Sequence, residues 1–243
     1  MIGSWVGHKS NMKTFIIRLK DNALSEKLAD ECIEQAKKFN IYPEKFDGIN
    51  GLTYPEHLDK LNIRPLKKFK KGRPGVFGCL LSHYYVWLQC QADTESYLVL
   101  EHDGYMIKAI PKLIEKRFSD ILKLDYINPY SKGYTRRIEQ DANNPLEIKT
   151  VAPGVGSCNE DMNQGAGWYS TGSYAYIIKP HAAKKLVEWI KINGFLPSDQ
   201  QLGSYAADIK VCDPSIVQLH PYFSPENGLI KAMSMTINTE LLQ

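Results

Sequence analysis

The sequence predicts a single α/β domain with a Rossmann-like, mostly parallel sheet flanked by helices. Three observations carry that expectation. Short apolar runs alternate with segments of helical periodicity along the chain, the pattern of a parallel sheet with crossover helices. The run Tyr97–Leu100 is unbroken and then ends abruptly in Glu101, His102 and Asp103, as expected of a strand buried on both faces. The chain has 243 residues, 43% of them hydrophobic and 23% charged, enough for one sizeable core. The expected boundaries are a domain over residues 13–220 and a C-terminal tail over 221–243.

Taken in order, Lys13–Lys20 reads as the first buried strand. Asp21 or Asn22 caps a helix whose inner face is Leu24, Leu28, Cys32, Ala36 and Phe39. Residues 41–46 return as a short strand, and 48–73, rich in Gly, Pro, Asn and charge, read as a long surface loop. Phe77, Leu80, Leu81, Tyr84, Trp87 and Leu88 define a helix over 76–91. Tyr97–Leu100 is the central strand, 111–122 a helix and 124–127 a strand. Residues 129–170 lack periodicity and read as a second long loop across the top of the sheet. Tyr174–Ile178 is a late strand, and Pro180 opens a helix lined by Ala182, Ala183, Leu186 and Ile190.

Composition excludes several classes. No apolar stretch approaches the roughly 20 residues that a membrane span needs. Residues 1–12 hold no apolar signal core, so the expectation is a cytoplasmic chain. Five widely spaced cysteines with no C-x-x-C pair suggest neither a disulfide framework nor a zinc ribbon. Cys32 and Cys79 fall in helical patterns and read as small core residues. The net charge of +3 implies no polyanionic partner. One stretch is strongly basic: Arg64, Lys67, Lys68, Lys70, Lys71 and Arg73, with Phe69 among them. It reads either as a solvated loop or as a grip on a phosphate backbone.

In open α/β sheets, ligands bind beyond the carboxyl ends of the strands. Glu101, His102 and Asp103 fall there, and such a set can hold a divalent cation and, through it, a diphosphate. Three further segments sharpen this. They are Thr14-Phe-Ile-Ile-Arg-Leu-Lys20 with Phe46-Asp-Gly-Ile-Asn-Gly51; Gly75-Val-Phe-Gly-Cys-Leu-Leu-Ser-His-Tyr-Tyr-Val-Trp87; and Thr171-Gly-Ser-Tyr-Ala-Tyr-Ile-Ile-Lys-Pro-His-Ala-Ala-Lys-Lys-Leu186 with Pro197-Ser-Asp199. Together, and in this order, they resemble glycosyltransferase family 25, which includes lipooligosaccharide and collagen galactosyltransferases. The resemblance spans residues 14 to 200. It departs at His102, where the family has an acidic residue, and at Pro74-Gly75-Val76, which stand where the family has an acidic residue before the Gly-Cys pair.

The resemblance implies a GT-A-like fold and a Mn²⁺- or Mg²⁺-dependent, inverting transfer of a hexose from a nucleotide sugar, UDP-linked, to a hydroxyl acceptor. Asp103 is the expected metal ligand, with His102 and His220 as further candidates. Asp199 is the expected general base, and its rival reading is a helix cap. Glu101 is expected to orient a metal-bound water or the ribose. Arg18, Lys20, Asn50, Gly51, Ser82, His83, Tyr169 and Thr171 are expected to contact the nucleotide sugar. On the helical wheel His83 falls on the flank of the apolar face and Ser82 on the opposite side.

The acceptor is expected to be a saccharide or glycoconjugate. The alternative acceptor is DNA bearing hydroxymethylated or glucosylated cytosine, gripped by Lys67, Lys68, Lys70, Lys71 and Arg73. A third reading is an inactive module that binds a sugar nucleotide or glycan; the retention of Asp103 and Asp199 counts against it.

Overall fold

Buried β-branched and aromatic residues at Phe15, Ile16 and Ile17 place the first strand, β1 (Lys13–Arg18), in the interior of a sheet. The computed structural model describes residues 12–66, 74–125, 145–150 and 172–223. Among these, β1 pairs in parallel with β2 (Glu44–Asp47) on one side and with β3 (Tyr97–Glu101) on the other. A short strand, β4 (Gly104–Met106), follows β3. The sheet continues through β5 (Ile121–Lys123), β6 (Glu147–Thr150), β7 (Ala175–Ile178) and β8 (Ile209–Asp213) in the order β2-β1-β3-β7-β5-β8-β6. β4 pairs separately with β9 (Val217–Leu219).

The α/β, GT-A-like class expected from the sequence holds, with a mixed sheet. β7 runs antiparallel to both β3 and β5, and β6 runs antiparallel to β8. The parallel pairs are β1 with β2 and β3, and β5 with β8.

Period-2 alternation divides the core in two. Phe15, Ile17, Tyr97, Val99, Tyr176 and Ile178 face α3 (Pro74–Cys90) and α4 (Pro180–Asn193), meeting Leu80, Tyr84, Trp87, Ala183, Leu186 and Ile190. Ile16, Leu98, Leu100 and Ile177 face α1 (Ala23–Lys37), meeting Ala29, Cys32 and Ala36. Asn22 is the N-cap of α1, its side chain accepting from the Ser25 amide at 2.9 Å.

Three expectations change. Within 48–73, residues 51–53 form a single 3₁₀ turn and Tyr54–Leu61 form α2. Pro55 sits in its first turn, and Tyr54, Leu58 and Leu61, spaced i, i+4, i+7, rest against the core. The many charges between them hid that stripe. The helix expected over 111–122 is a single 3₁₀ turn, Ile114–Lys116, followed by β5. Leu113 at φ 60° breaks the right-handed run. Within 129–170, residues 147–150 form the exposed edge strand β6; the rest of what the structure describes there is limited to 145 and 146.

Gly78 shows how tightly α3 meets the 49–51 turn. A Cβ there would lie 2.6 Å from the Ile49 carbonyl and 2.8 Å from the Gly51 amide. Both obstacles are backbone, so relief requires the turn to move. We expect Gly78→Ala to destabilise the fold by about 1–3 kcal/mol, measured by denaturant unfolding, despite the gain in helix propensity.

Candidate active site

The carboxyl ends of β1 and β3 open into a cleft of about 550 Å³. Its walls come from the end of β1 (Ile17, Arg18), the N-terminal turn of α1 around Asn22, the turn at Asn50–Gly51, the face of α3 carrying Cys79, Ser82 and His83, and Glu101 and His102. Seven of the predicted residues, Arg18, Asn50, Gly51, Ser82, His83, Glu101 and His102, therefore converge from four separate stretches of sequence.

At the floor, Glu101 accepts a hydrogen bond from the Ser173 hydroxyl at 2.6 Å and meets His83 Nε2 at 3.1 Å. His83 is wholly buried. Its Nδ1 lies 2.9 Å from Tyr176 Oη, which also accepts from Trp87 Nε1 at 2.9 Å. One arrangement satisfies every group: Trp87 donates to Tyr176, Tyr176 to His83 Nδ1, and His83 Nε2–H to Glu101. Burial pushes the Glu101 carboxyl up, but the hydrogen bonds from His83 and Ser173 outweigh it and hold the group below the usual range. Glu101 is thus kept ionised and held in one orientation.

Cys79 completes this floor. Its Sγ lies 3.2 Å from Ser198 Oγ and 3.9–4.0 Å from the Glu101 carboxylate. Ser198 and Ser173 hydroxyls are 2.9 Å apart. A polar network therefore ties the α3 segment to β3, to the start of β7 and to α5 (Ser198–Gln201). Among the described residues, Cys79, His83 and Glu101 form the three-member group whose ligand atoms all lie within 4.8 Å of one another.

Asp103 lies just past β3. Its Oδ1 is buried with no hydrogen-bond partner. Burial, then the charge of Glu101, pushes its carboxyl well above the usual range. His102 lines the cleft with its Nε2 buried and unpartnered, and burial lowers its pKa. His220 is joined to this turn by its backbone, its amide donating to the Asp103 carbonyl at 2.7 Å. The ring points elsewhere: Nε2 is 3.1 Å from Glu31, and Nδ1 accepts from the Tyr222 amide at 3.1 Å.

Asp199 sits in the first turn of α5, half-buried, its Oδ1 accepting from the Gln200 amide at 2.9 Å. Pro197 occupies the N-cap position. Burial raises the Asp199 carboxyl, and the charge of Lys123 partly offsets that rise.

The other predicted contacts divide. Arg18 reaches the cleft, but its guanidinium pairs with Glu26 at 2.6 Å and Asp47 at 2.5 Å. Asn50 caps the 3₁₀ turn through the Leu52 amide at 2.9 Å, and Gly51 is packed against Pro74. Ser82 is not on a free helix face: it is 2% exposed, donates to the Gly78 carbonyl and accepts from the Ile49 amide. α3 is buried around most of its circumference, so a wheel with one apolar face misplaces both Ser82 and His83. Lys20 is exposed and is not among the residues lining the cleft. Tyr169, Thr171, Lys67, Lys68, Lys70, Lys71 and Arg73 lie outside the described residues.

Sequence reasoning missed Lys123 and Asp125. Both side chains are wholly buried, 3.6 Å apart, at the end of β5. Lys123 also donates to the Gly172 carbonyl, and Asp125 Oδ2 accepts from the Ala175 amide at 3.3 Å. The available signal was a lysine inside the apolar run Ile121-Leu-Lys-Leu124, since a buried charge needs a partner. Cys79, read as core filler, is a cleft residue.

An α/β fold with acidic groups beyond β3 is what this geometry defines. The model of glycosyltransferase family 25 (LPS biosynthesis protein) matches residues 11–202, and the chain belongs to that family. It is 31% identical over 198 residues to a mimivirus protein named "Putative glycosyltransferase R655", covering 73% of this chain and 53% of the relative. It is 27% identical over 140 residues to the lipooligosaccharide biosynthesis protein lex-1 of Haemophilus influenzae, covering 57% and 42%. A glycosyltransferase 25 family member of Aedes aegypti is 24% identical over 160 residues, covering 65% and 23%. The chain thus spans about half or less of the length of these relatives. Among the described residues no helix is long and apolar enough to cross a membrane.

Proposed function

We propose that this chain moves a hexose from a nucleotide sugar, UDP-linked, to a hydroxyl of a saccharide or glycoconjugate, with inversion by direct displacement. The observation that carries the reading is the cleft at the carboxyl ends of β1 and β3, ending on an ionised Glu101 beside Asp103. The nucleotide would lie between Asn22 and Asn50–Gly51, with its diphosphate toward Glu101 and His102.

The residues fit a hard divalent cation. Asp103 Oδ1 is a buried oxygen lacking a partner, crowded by the charge of Glu101. Mg²⁺ and Mn²⁺ at such sites use one or two carboxylates plus substrate phosphates, so a complete protein cage is not needed beforehand. Asp103 would hold the ion, with His102 Nε2 as a second donor. When bound, it would neutralise charge on the departing diphosphate.

The protein's own part is positioning and proton transfer. Asp199 would accept the acceptor hydroxyl's proton as that oxygen bonds to the anomeric carbon and the bond to the diphosphate breaks. Its raised pKa makes it a stronger base than an exposed carboxylate. His83, with Tyr176 and Trp87 behind it, would fix Glu101 against the donor.

The reading is tested by mass spectrometry of products after incubation with a panel of UDP-sugars, with saccharides and hydroxymethylated duplex DNA as acceptors. Sugar transfer to a saccharide supports it; transfer to DNA alone replaces the acceptor class; no turnover of any donor under any metal sinks it. The substitution His102→Asp gives a narrower check. As a ligand, His102 favours Mn²⁺ over Mg²⁺, so the variant should shift activity toward Mg²⁺. An unchanged metal profile would remove His102 from the ligand set.

A further inference from the structure

Cys79 and His83 are four residues apart on α3, so they project from the same helical face toward Glu101 at the end of β3. Sulfur, imidazole nitrogen and carboxylate oxygen are three different donor types, and all three residues line the cleft. We propose that Cys79, His83 and Glu101 form a binding site for a thiophilic divalent cation, Zn²⁺, with its fourth position open to the cleft. This site differs in donor chemistry from the position at Asp103 by its sulfur ligand.

The distances are near those of a tetrahedral zinc site. Zn–S of about 2.3 Å, and Zn–N and Zn–O of about 2.0–2.2 Å, place the ligand atoms of such a site about 3.4–3.6 Å apart. Here His83 Nε2 to Glu101 Oε1 is 3.1 Å, and Cys79 Sγ to the Glu101 oxygens is 3.9–4.0 Å. These two edges need to move by about half an ångström or less to reach tetrahedral geometry, and the third, from Cys79 Sγ to the His83 ring nitrogen, lies within 4.8 Å.

The surroundings are those of a supported site. A metal on Nε2 takes the place of that nitrogen's proton; the ring then carries its proton on Nδ1 and donates it to Tyr176 Oη, itself held by Trp87, which keeps Nε2 toward the cluster. The Ser173 and Ser198 hydroxyls contact Glu101 and Cys79 respectively, which leaves donors for the lone pairs not used by a metal. The other described cysteines lack this setting. Cys32 donates to the His102 carbonyl, Cys90 to the Ile178 carbonyl, and Cys212 lies in the core. Thiolate selects Zn²⁺ over Mg²⁺, and a thiol-bearing triad is a poor match for the harder ion.

Binding is independent of the transferase reading and is tested without activity. Co²⁺ is titrated into the purified full-length chain as a spectroscopic stand-in for Zn²⁺. We expect one equivalent to give a sulfur-to-metal charge-transfer band and the intense visible bands of tetrahedral Co²⁺, bleached by Zn²⁺ but not by Mg²⁺. In a Cys79→Ser variant, shown folded by circular dichroism, the charge-transfer band should be lost. A wild-type spectrum without that band, or a band that persists in the variant, overturns the site. A second measurement needs no variant: alkylation of Cys79 by iodoacetamide, mapped by peptide mass spectrometry, should slow at least tenfold with Zn²⁺ and stay unchanged with Mg²⁺. Equal alkylation in both overturns the site as well.

Discussion

Asp103→Ala should abolish sugar transfer, by on the order of a hundredfold or more, and leave the fold intact. The fall follows from losing the oxygen best placed to hold a cation against a departing diphosphate. The intact fold follows from what Asp103 does otherwise. Its Oδ1 is buried without a partner, and the contact it makes to His220 is through the backbone carbonyl. Removing a carboxyl whose Oδ1 is buried without a partner relieves a desolvation cost, so the melting temperature should stay level or rise. A folded variant with near-normal turnover would mean that Asp103 is no ligand; a collapsed variant would mean that it is structural.

Asp199→Asn should lower kcat by about 10²–10⁴-fold, the span typical of a lost general base, while donor affinity measured by calorimetry stays close to the parent's. Asparagine keeps the shape and the acceptor for the Gln200 amide. The pH profile adds a sign. Burial raises the Asp199 carboxyl, and a base works only when deprotonated, so activity should rise with pH through a limb above the ordinary carboxylate range. That limb should vanish from the residual rate of the variant. Equal losses of donor binding and turnover would move Asp199 to the nucleotide side of the cleft.

Much of the site was legible because its residues stand where a pattern breaks. Glu101 and Asp103 announce themselves by ending an apolar run. His83 and Asp199 lie in segments with recognisable spacing. What the sequence hid was burial on more than one side. Ser82 and His83 look half-exposed on a helical wheel, yet α3 is enclosed by the sheet, α4 and the 49–51 turn. Lys123 and Asp125 belong to no motif; their partners arrive from Gly172 and Ala175, some fifty residues later. Cys79 reads as a small apolar residue until Ser198, 119 positions away, is brought to 3.2 Å. Such long-range pairings are set by strand order, which local periodicity does not encode. The residues expected to touch a polyanion lie outside the described ones.

The reversed direction of β7 has a kinetic consequence. Its antiparallel neighbour β3 brings its last residues to the cleft, but β7 brings its first, so Ser173 reaches Glu101 only when Leu100 is in register with Ala175. That closure spans 72 positions of chain, and a second one, from Cys79 to Ser198, spans 119. Contacts so distant in sequence form late and cooperatively, since the entropy of closing the intervening loops must be met first. No early, locally folded fragment can hold the cleft floor together. Recovery of donor binding during refolding should therefore coincide with the slowest phase of intrinsic tryptophan fluorescence, to which the buried Trp87 contributes, rather than precede it.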